Sequence, residues 1–309
     1  MSASQRKETF GGIYTALVTP MHEDGSIDYD SLVRLTTHQI DQGVKGFYVG
    51  GSTGEGFLLT GEERQRVLET VVGAAAGRAV VLAHIGCIGT MDSIALAKHA
   101  ERQGVDAISA VVPFYYKLSP REIQGHYEAI MASVAAPMIV YHFPGATGVS
   151  LSLDFYEGLS RNPQCIGVKF TSLNLFEMQQ IRARCGEDFL IFNGHDEVYA
   201  SGALAGADGA IGSTFNIMPG LFVGMHRLLS EDGWKSGRTV QAMQAEANRV
   251  IAHMVGYDVI PYEKYMLYLQ GIVRTPTARQ PLRRFTPEER SRLEAFFESS
   301  GALRAQRLS

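Results

Sequence analysis

Short apolar runs recur along the chain, and turn residues bound each of them. They are GGIYTALVTP from Gly11, GFYVGGST from Gly46, AVVLAHIG from Ala79 and AISAVVPF from Ala107. PMIVYHFP from Pro137, CIGVKFTS from Cys165, FLIFNGHD from Phe189 and GAIGSTFN from Gly209 follow. Most are continuously apolar rather than alternating, as strands buried on both faces of a parallel sheet are. Between them lie helical stretches with recognisable starts. Thr60-Gly-Glu-Glu63 and Ser119-Pro-Arg-Glu122 fit the capping box, in which a hydroxyl and a glutamate each satisfy a backbone amide of the other. Asn174-Leu-Phe-Glu177 is a looser variant, and Pro120 stands at a first helical position that needs no amide hydrogen.

Eight strand–helix alternations followed by more helix predict a (β/α)8 TIM barrel with a C-terminal helical extension. An open doubly wound sheet would alternate too, but no GxGxxG follows the first strand. The strand signal stops after about residue 218, so the barrel is expected over residues 1–218 and the extension over 219–309, packed on the barrel as one structural unit. The extension reads as helix from Pro219 to about Gly256 with a break near Gly233. An apolar-periodic stretch from Pro261 to Ile272 follows, and Thr286-Pro-Glu-Glu289 opens a last helix. The Pro/Arg-rich piece from Thr275 to Arg284 reads as an ordered connection.

Composition narrows the function class. The 309 residues are 45% hydrophobic and 19% charged, ordinary for a globular chain with a sizeable core. A net charge of −4 gives no electrostatic reason to expect nucleic acid or an anionic membrane surface as partner. The N-terminus MSASQRKETF has no apolar signal core, and no stretch approaches a membrane span. Cys87, Cys165 and Cys185 are too few and scattered for a disulfide framework or a zinc cluster. Cys87 and Cys165 fall in apolar runs and read as buried free thiols, which suits a reducing, cytoplasmic compartment.

In such a barrel the chemistry belongs at the C-terminal ends of the strands. Lys169 interrupts CIGVKF there, and a lysine in a buried strand is costly while charged. Desolvation lowers its pKa and frees the amine to attack a carbonyl carbon; the bland alternative is a lysine that snorkels to the barrel mouth or pairs with a carboxylate. Tyr141 ends PMIVY, so its phenol can move protons in the cavity or simply be a core tyrosine. Tyr115, in PFYY, reads on its own as a packed aromatic. Gly50-Gly-Ser-Thr-Gly-Glu55 offers amides, two hydroxyls and flexible glycines to a carboxylate or phosphate, unless it is only a tight turn. It lacks the lysine of a nucleotide-binding P-loop. Asp196 and Glu197 suit sugar hydroxyls or a metal, and the lack of clear partner ligands makes the metal the weaker reading. An amine, a phenol, an anion cradle and hydroxyl-binding groups together describe imine chemistry on a polyhydroxylated 2-oxo acid.

The chain resembles the N-acetylneuraminate lyase and dihydrodipicolinate synthase superfamily, and within it the lyase branch. YVGGSTGE from Tyr48, AHIGC from Ala83, SAVVPFYY from Ser109, NGHDE from Asn193 and ASGALAGADGAIGSTFNIM from Ala200 carry the likeness, which runs from about Gly11 to Glu294. The resemblance implies a pyruvate-dependent aldolase without metal or organic cofactor, assembled as a homotetramer of tight dimers. Lys169 would form the Schiff base and Tyr141 would shuttle protons. Ser52 and Thr53 would hold the substrate carboxylate. Tyr115 would enter a neighbouring subunit's site to complete a relay with Ser52 and Tyr141. Thr171, Gly194, Asp196, Glu197 and Ser213 would hold sugar hydroxyls. Synthases of the superfamily carry an Arg where Ala146 stands, which disfavours dihydrodipicolinate synthesis. The expected reaction is reversible cleavage of N-acetylneuraminate to pyruvate and N-acetylmannosamine. Another 2-oxo acid aldolase or 2-keto-3-deoxy sugar acid lyase, and a non-catalytic 2-oxo acid sensor, are the alternatives.

Overall fold

The eight apolar runs form eight short strands: β1 (Gly12–Ala16), β2 (Gly46–Val49), β3 (Val80–His84), β4 (Ala107–Val111), β5 (Met138–His142), β6 (Cys165–Phe170), β7 (Leu190–Asn193) and β8 (Gly209–Gly212). A computed structural model describes residues 3–308; Met1 and Ser2 of the polar N-terminal segment, and Ser309, lie outside it. The strands close a barrel in sequence order. From β2 onward each pairs in parallel with the next. Nearly every strand residue is buried, which is why the runs lack alternation.

Helices separate the strands, as a parallel barrel requires. Thr60 and Ser119 form complete capping boxes with Glu63 and Glu122. Asn174 accepts from the Glu177 amide, while the Glu177 side chain takes a bond from Asn174 Nδ2 instead of the backbone. The extension comprises Pro219–Asp232, a 3-10 turn at Gly233–Ser236, and the helices Gly237–Met254, Val259–Leu269, Pro287–Ser299 and Gly301–Arg304. The helix expected from Pro261 to Ile272 therefore starts earlier and ends sooner. The break near Gly233 falls where that glycine adopts φ +56°, and Thr286 caps the helix that follows it with a full box to Glu289.

The chain divides into two compact units. One holds residues 3–14, Lys45–Val49 and Val80–Gly212, hence almost the whole of the strand set. The other holds Thr15–Val44, Gly50–Ala79 and residues 213–308.

Two local expectations change. Cys165 is buried, but Cys87 is only half-buried, because β3 ends at His84 and leaves it in the following loop. The polar segment before β1 forms a helix, Ala3–Phe10, which no apolar periodicity announced. Lys7 holds it through Glu187 and Asp208, and Arg6 donates to the Asp188 carbonyl at 2.8 Å.

Candidate active site

The register of β5 and β6 builds the centre of the site. Tyr141 pairs with Lys169, and His142 pairs with Phe170. Side chains alternate along a strand, so Tyr141 and Lys169 share one face while His142 and Phe170 share the other. His142 accordingly stacks on Phe170, with ring centroids 5.3 Å apart, and meets Tyr156 edge-on. Burial holds its pKa down to about 4, so it is a neutral ring turned away from Lys169.

Lys169 is 5% exposed, and aromatic rings replace the water around its amine. Nζ lies 4.2 Å from the centre of the Tyr141 ring and 4.5 Å from that of Tyr48. Desolvation pulls its pKa down to about 7, against the opposing attraction of Asp196. A substantial fraction of the amine is thus unprotonated at neutral pH. That is the state a nucleophile toward carbonyl carbon needs.

Tyr141 is held by its neighbours. It meets Tyr48 edge-on at 5.9 Å and His84 at 6.0 Å, and stacks with Phe143 at 5.9 Å. Tyr48 shares a 2.9 Å hydrogen bond with Ser109, and His84 Nε2 accepts from the Val111 amide at 3.3 Å. Tyr48 and His84 are site residues that the strand-end reading passed over. Tyr48 sits one residue before the end of β2, inside the strand rather than in the polar loop from Gly50. A phenol inside an otherwise apolar strand, directly before a polar loop, was the available signal.

The ends of β6 and β7 bring four further residues together. Thr171 follows β6; its Oγ1 is buried and meets no hydrogen-bond partner among the described residues. Gly194 follows β7, and a Cβ there would lie 1.9 Å from that oxygen, so only glycine leaves the Thr171 hydroxyl its place. Asp196 is buried in the 3-10 turn Asp196–Val198 that follows β7, and its charge acts on Lys169. Glu197 is half-buried, and a hydrogen bond from His195 Nδ1 at 3.3 Å lowers its pKa. A buried hydroxyl without a partner is uncommon in native proteins and suits a ligand that brings one.

The remaining predicted residues stand as follows. Ser52 and Thr53 lie half-buried in the turn after β2, and Ser213 half-buried directly after β8. Tyr115 is 75% exposed in the loop after β4, touching Tyr116 edge-on at 5.1 Å. Within this chain, then, Tyr115 does not pack into the core as PFYY suggested, and Tyr116 beside it is exposed as well. Ala146 is exposed in the short helix Pro144–Thr147.

Comparison with known proteins accords with this geometry. The model of the dihydrodipicolinate synthetase family matches residues 9–300. An N-acetylneuraminate lyase of Escherichia coli (strain SMS-3-5 / SECEC) is 41% identical over 295 residues, covering 94% of this chain and 98% of the relative. The structure of CdNal from Clostridium difficile in complex with mannosamine superposes with a TM-score of 0.90 at 34% identity, over 94% of this chain and 99% of that one. A catalytic-lysine mutant of Ruminococcus gnavus sialic acid aldolase superposes with the same score at 31% identity, over 97% and 99%.

Proposed function

The chain belongs to the dihydrodipicolinate synthetase family of carbon–carbon lyases, and from that premise we propose that it cleaves N-acetylneuraminate reversibly to pyruvate and N-acetylmannosamine. The observation that carries the reading is the buried amine of Lys169 beside the Tyr141 ring, its pKa brought down to about 7 by desolvation.

The amine adds to the C2 carbonyl of the open-chain sugar acid, and loss of water leaves an iminium. That cation draws the electrons of the C3–C4 bond, which breaks to an enamine on the pyruvate half. The C4 hydroxyl gives up its proton as it becomes the aldehyde, and Tyr141 relays it. Protonation at C3 and hydrolysis of the imine then release pyruvate and restore Lys169. Ser52 and Thr53 hold the substrate carboxylate through hydroxyls and backbone amides. Thr171, Gly194, Asp196, Glu197 and Ser213 receive the sugar hydroxyls, and the unpartnered Thr171 oxygen supports that role.

Ala146 supports the lyase reaction over dihydrodipicolinate synthesis, since it offers no cation to a second carboxylate. The same small side chain favours a second reading, a lyase acting on another 2-keto-3-deoxy sugar acid. Ranking kcat/KM over a panel of such acids separates the two: N-acetylneuraminate is expected first, and a clear preference for an unacetylated acid would select the alternative.

The reading extends to a cytoplasmic homotetramer of tight dimers. Free thiols suit a reducing compartment, and the exposed Tyr115 is available to a neighbouring copy's site. Activity per chain is expected to fall on dilution as the assembly dissociates. Full activity from a demonstrated monomer would remove Tyr115 from the relay.

A further inference from the structure

The turn that carries Ser52 and Thr53 is anchored by a buried ion pair whose partners lie 209 residues apart in sequence. The Glu55 amide donates to the Ser52 carbonyl at 3.0 Å, which makes Ser52 and Thr53 the first two residues of a four-residue turn ending at Glu55. The Gly56 amide donates to the Gly51 carbonyl at 3.1 Å, and the Thr19 hydroxyl to the Gly54 carbonyl at 2.8 Å. Glu55 holds a φ of +58°, the left-handed region that glycine enters freely and other residues avoid. A glutamate kept in that conformation points to a role for its side chain.

That side chain is wholly buried, and both carboxylate oxygens are occupied. One accepts from the Lys264 ammonium and the other from the Arg279 backbone amide at 2.6 Å. Lys264, equally buried, also donates to the Thr277 carbonyl at 3.0 Å. The Arg279 guanidinium in turn forks onto Glu63 at 2.8 and 3.1 Å, the glutamate of the capping box that opens the helix after the turn. The turn is thereby tied at its last residue to the segment Thr277–Arg279 and to the helix Val259–Leu269.

We propose that Lys264 and Glu55 are positioning residues: their ion pair sets the Ser52 and Thr53 donors for the substrate carboxylate without touching substrate. The proposal rests on the reading that Ser52 and Thr53 bind that carboxylate. Burial of two charges is a poor source of stability, because desolvation offsets their attraction and apolar replacements are often neutral. Directional bonds to both oxygens of one carboxylate do fix the orientation of the residue that bears it, and with it the backbone of the turn.

The test compares full-length wild type with Glu55→Gln, Lys264→Met, the double variant Glu55→Gln/Lys264→Met, and Ser52→Ala. Melting temperature, pyruvate KM and kcat in the condensation direction, and borohydride trapping of pyruvate on Lys169 are read for each. Lys264→Met alone leaves a buried carboxylate without its cation and is expected to melt low. The double variant removes both charges, so it is expected to melt near wild type and to trap pyruvate at saturation. Its pyruvate KM is expected to rise about tenfold or more while kcat changes little, as loss of ground-state and transition-state binding alike requires. A folded double variant with wild-type pyruvate KM overturns the proposal, and so does a double variant that cannot fold, which would make the pair a prop of the fold at large. If Ser52→Ala itself leaves pyruvate KM unchanged, the carboxylate reading fails first. If Ser52→Ala raises KM and the double variant does not, the positioning role alone falls.

Discussion

Tyr141 and Lys169 stand side by side across the β5–β6 register, with the amine 4.2 Å from the centre of the phenol ring. The ring and its neighbour Tyr48 take the place of solvent. Desolvation therefore brings the pKa of the amine down to about 7 from the ordinary 10.5. Only the neutral amine attacks a carbonyl. The kcat/KM for cleavage is accordingly expected to fall about tenfold per pH unit below about 7, with that limb assigned to the free enzyme. A limb near 10 would mean that Lys169 is not desolvated in solution.

The same depression has a consequence for stability. In the unfolded chain the amine holds its proton up to about 10.5, and in the folded protein only to about 7. Between those values the unfolded state binds more protons, so stability rises with pH across that window, and the cost of burial is complete below it. Each pKa unit corresponds to roughly 1.4 kcal/mol, which places the cost at several kcal/mol. Lys169→Met is expected to melt higher than wild type at pH 7, with the gap closing toward pH 10. Melting curves at the two pH values check this, and a variant that melts lower at pH 7 would count against it.

Thr171 offers a direct probe of the sugar end. Its buried hydroxyl has no partner among the described residues, and leaving such a group unpaired costs about 1–3 kcal/mol. Thr171→Val keeps the shape and removes the polar oxygen. It is expected to match or exceed wild-type stability and to raise KM for the sugar acid, while pyruvate is still trapped on Lys169. Unchanged kcat/KM on the sugar acid would show that this hydroxyl meets no substrate.

The parts of the fold that were legible in the sequence share a physical cause. Strands buried on both faces leave continuous apolar runs, so all eight were visible, and capping boxes mark helix starts within four residues. Lys169 stood out because a charge inside such a run is an exception that needs a reason. Tyr48 and His84 did not, since an aromatic ring in a strand looks the same whether it packs or surrounds an amine. The helix Ala3–Phe10 was hidden because its sequence has no apolar stripe, and Lys7 finds its partner Glu187 far away in the chain. The exposure of Tyr115 and the pairing of Glu55 with Lys264 depend on residues far away in the chain, and local pattern carries neither.

The central claim is that Lys169 forms a Schiff base with a sialic acid and releases pyruvate from it. Its most direct test is to incubate the wild type and Lys169→Ala with N-acetylneuraminate, measure pyruvate, and trap each sample with borohydride for peptide mass analysis. Pyruvate is expected from the wild type with a reduced adduct on Lys169, and neither is expected from the variant. Pyruvate release by Lys169→Ala, or an adduct on another lysine, would contradict it.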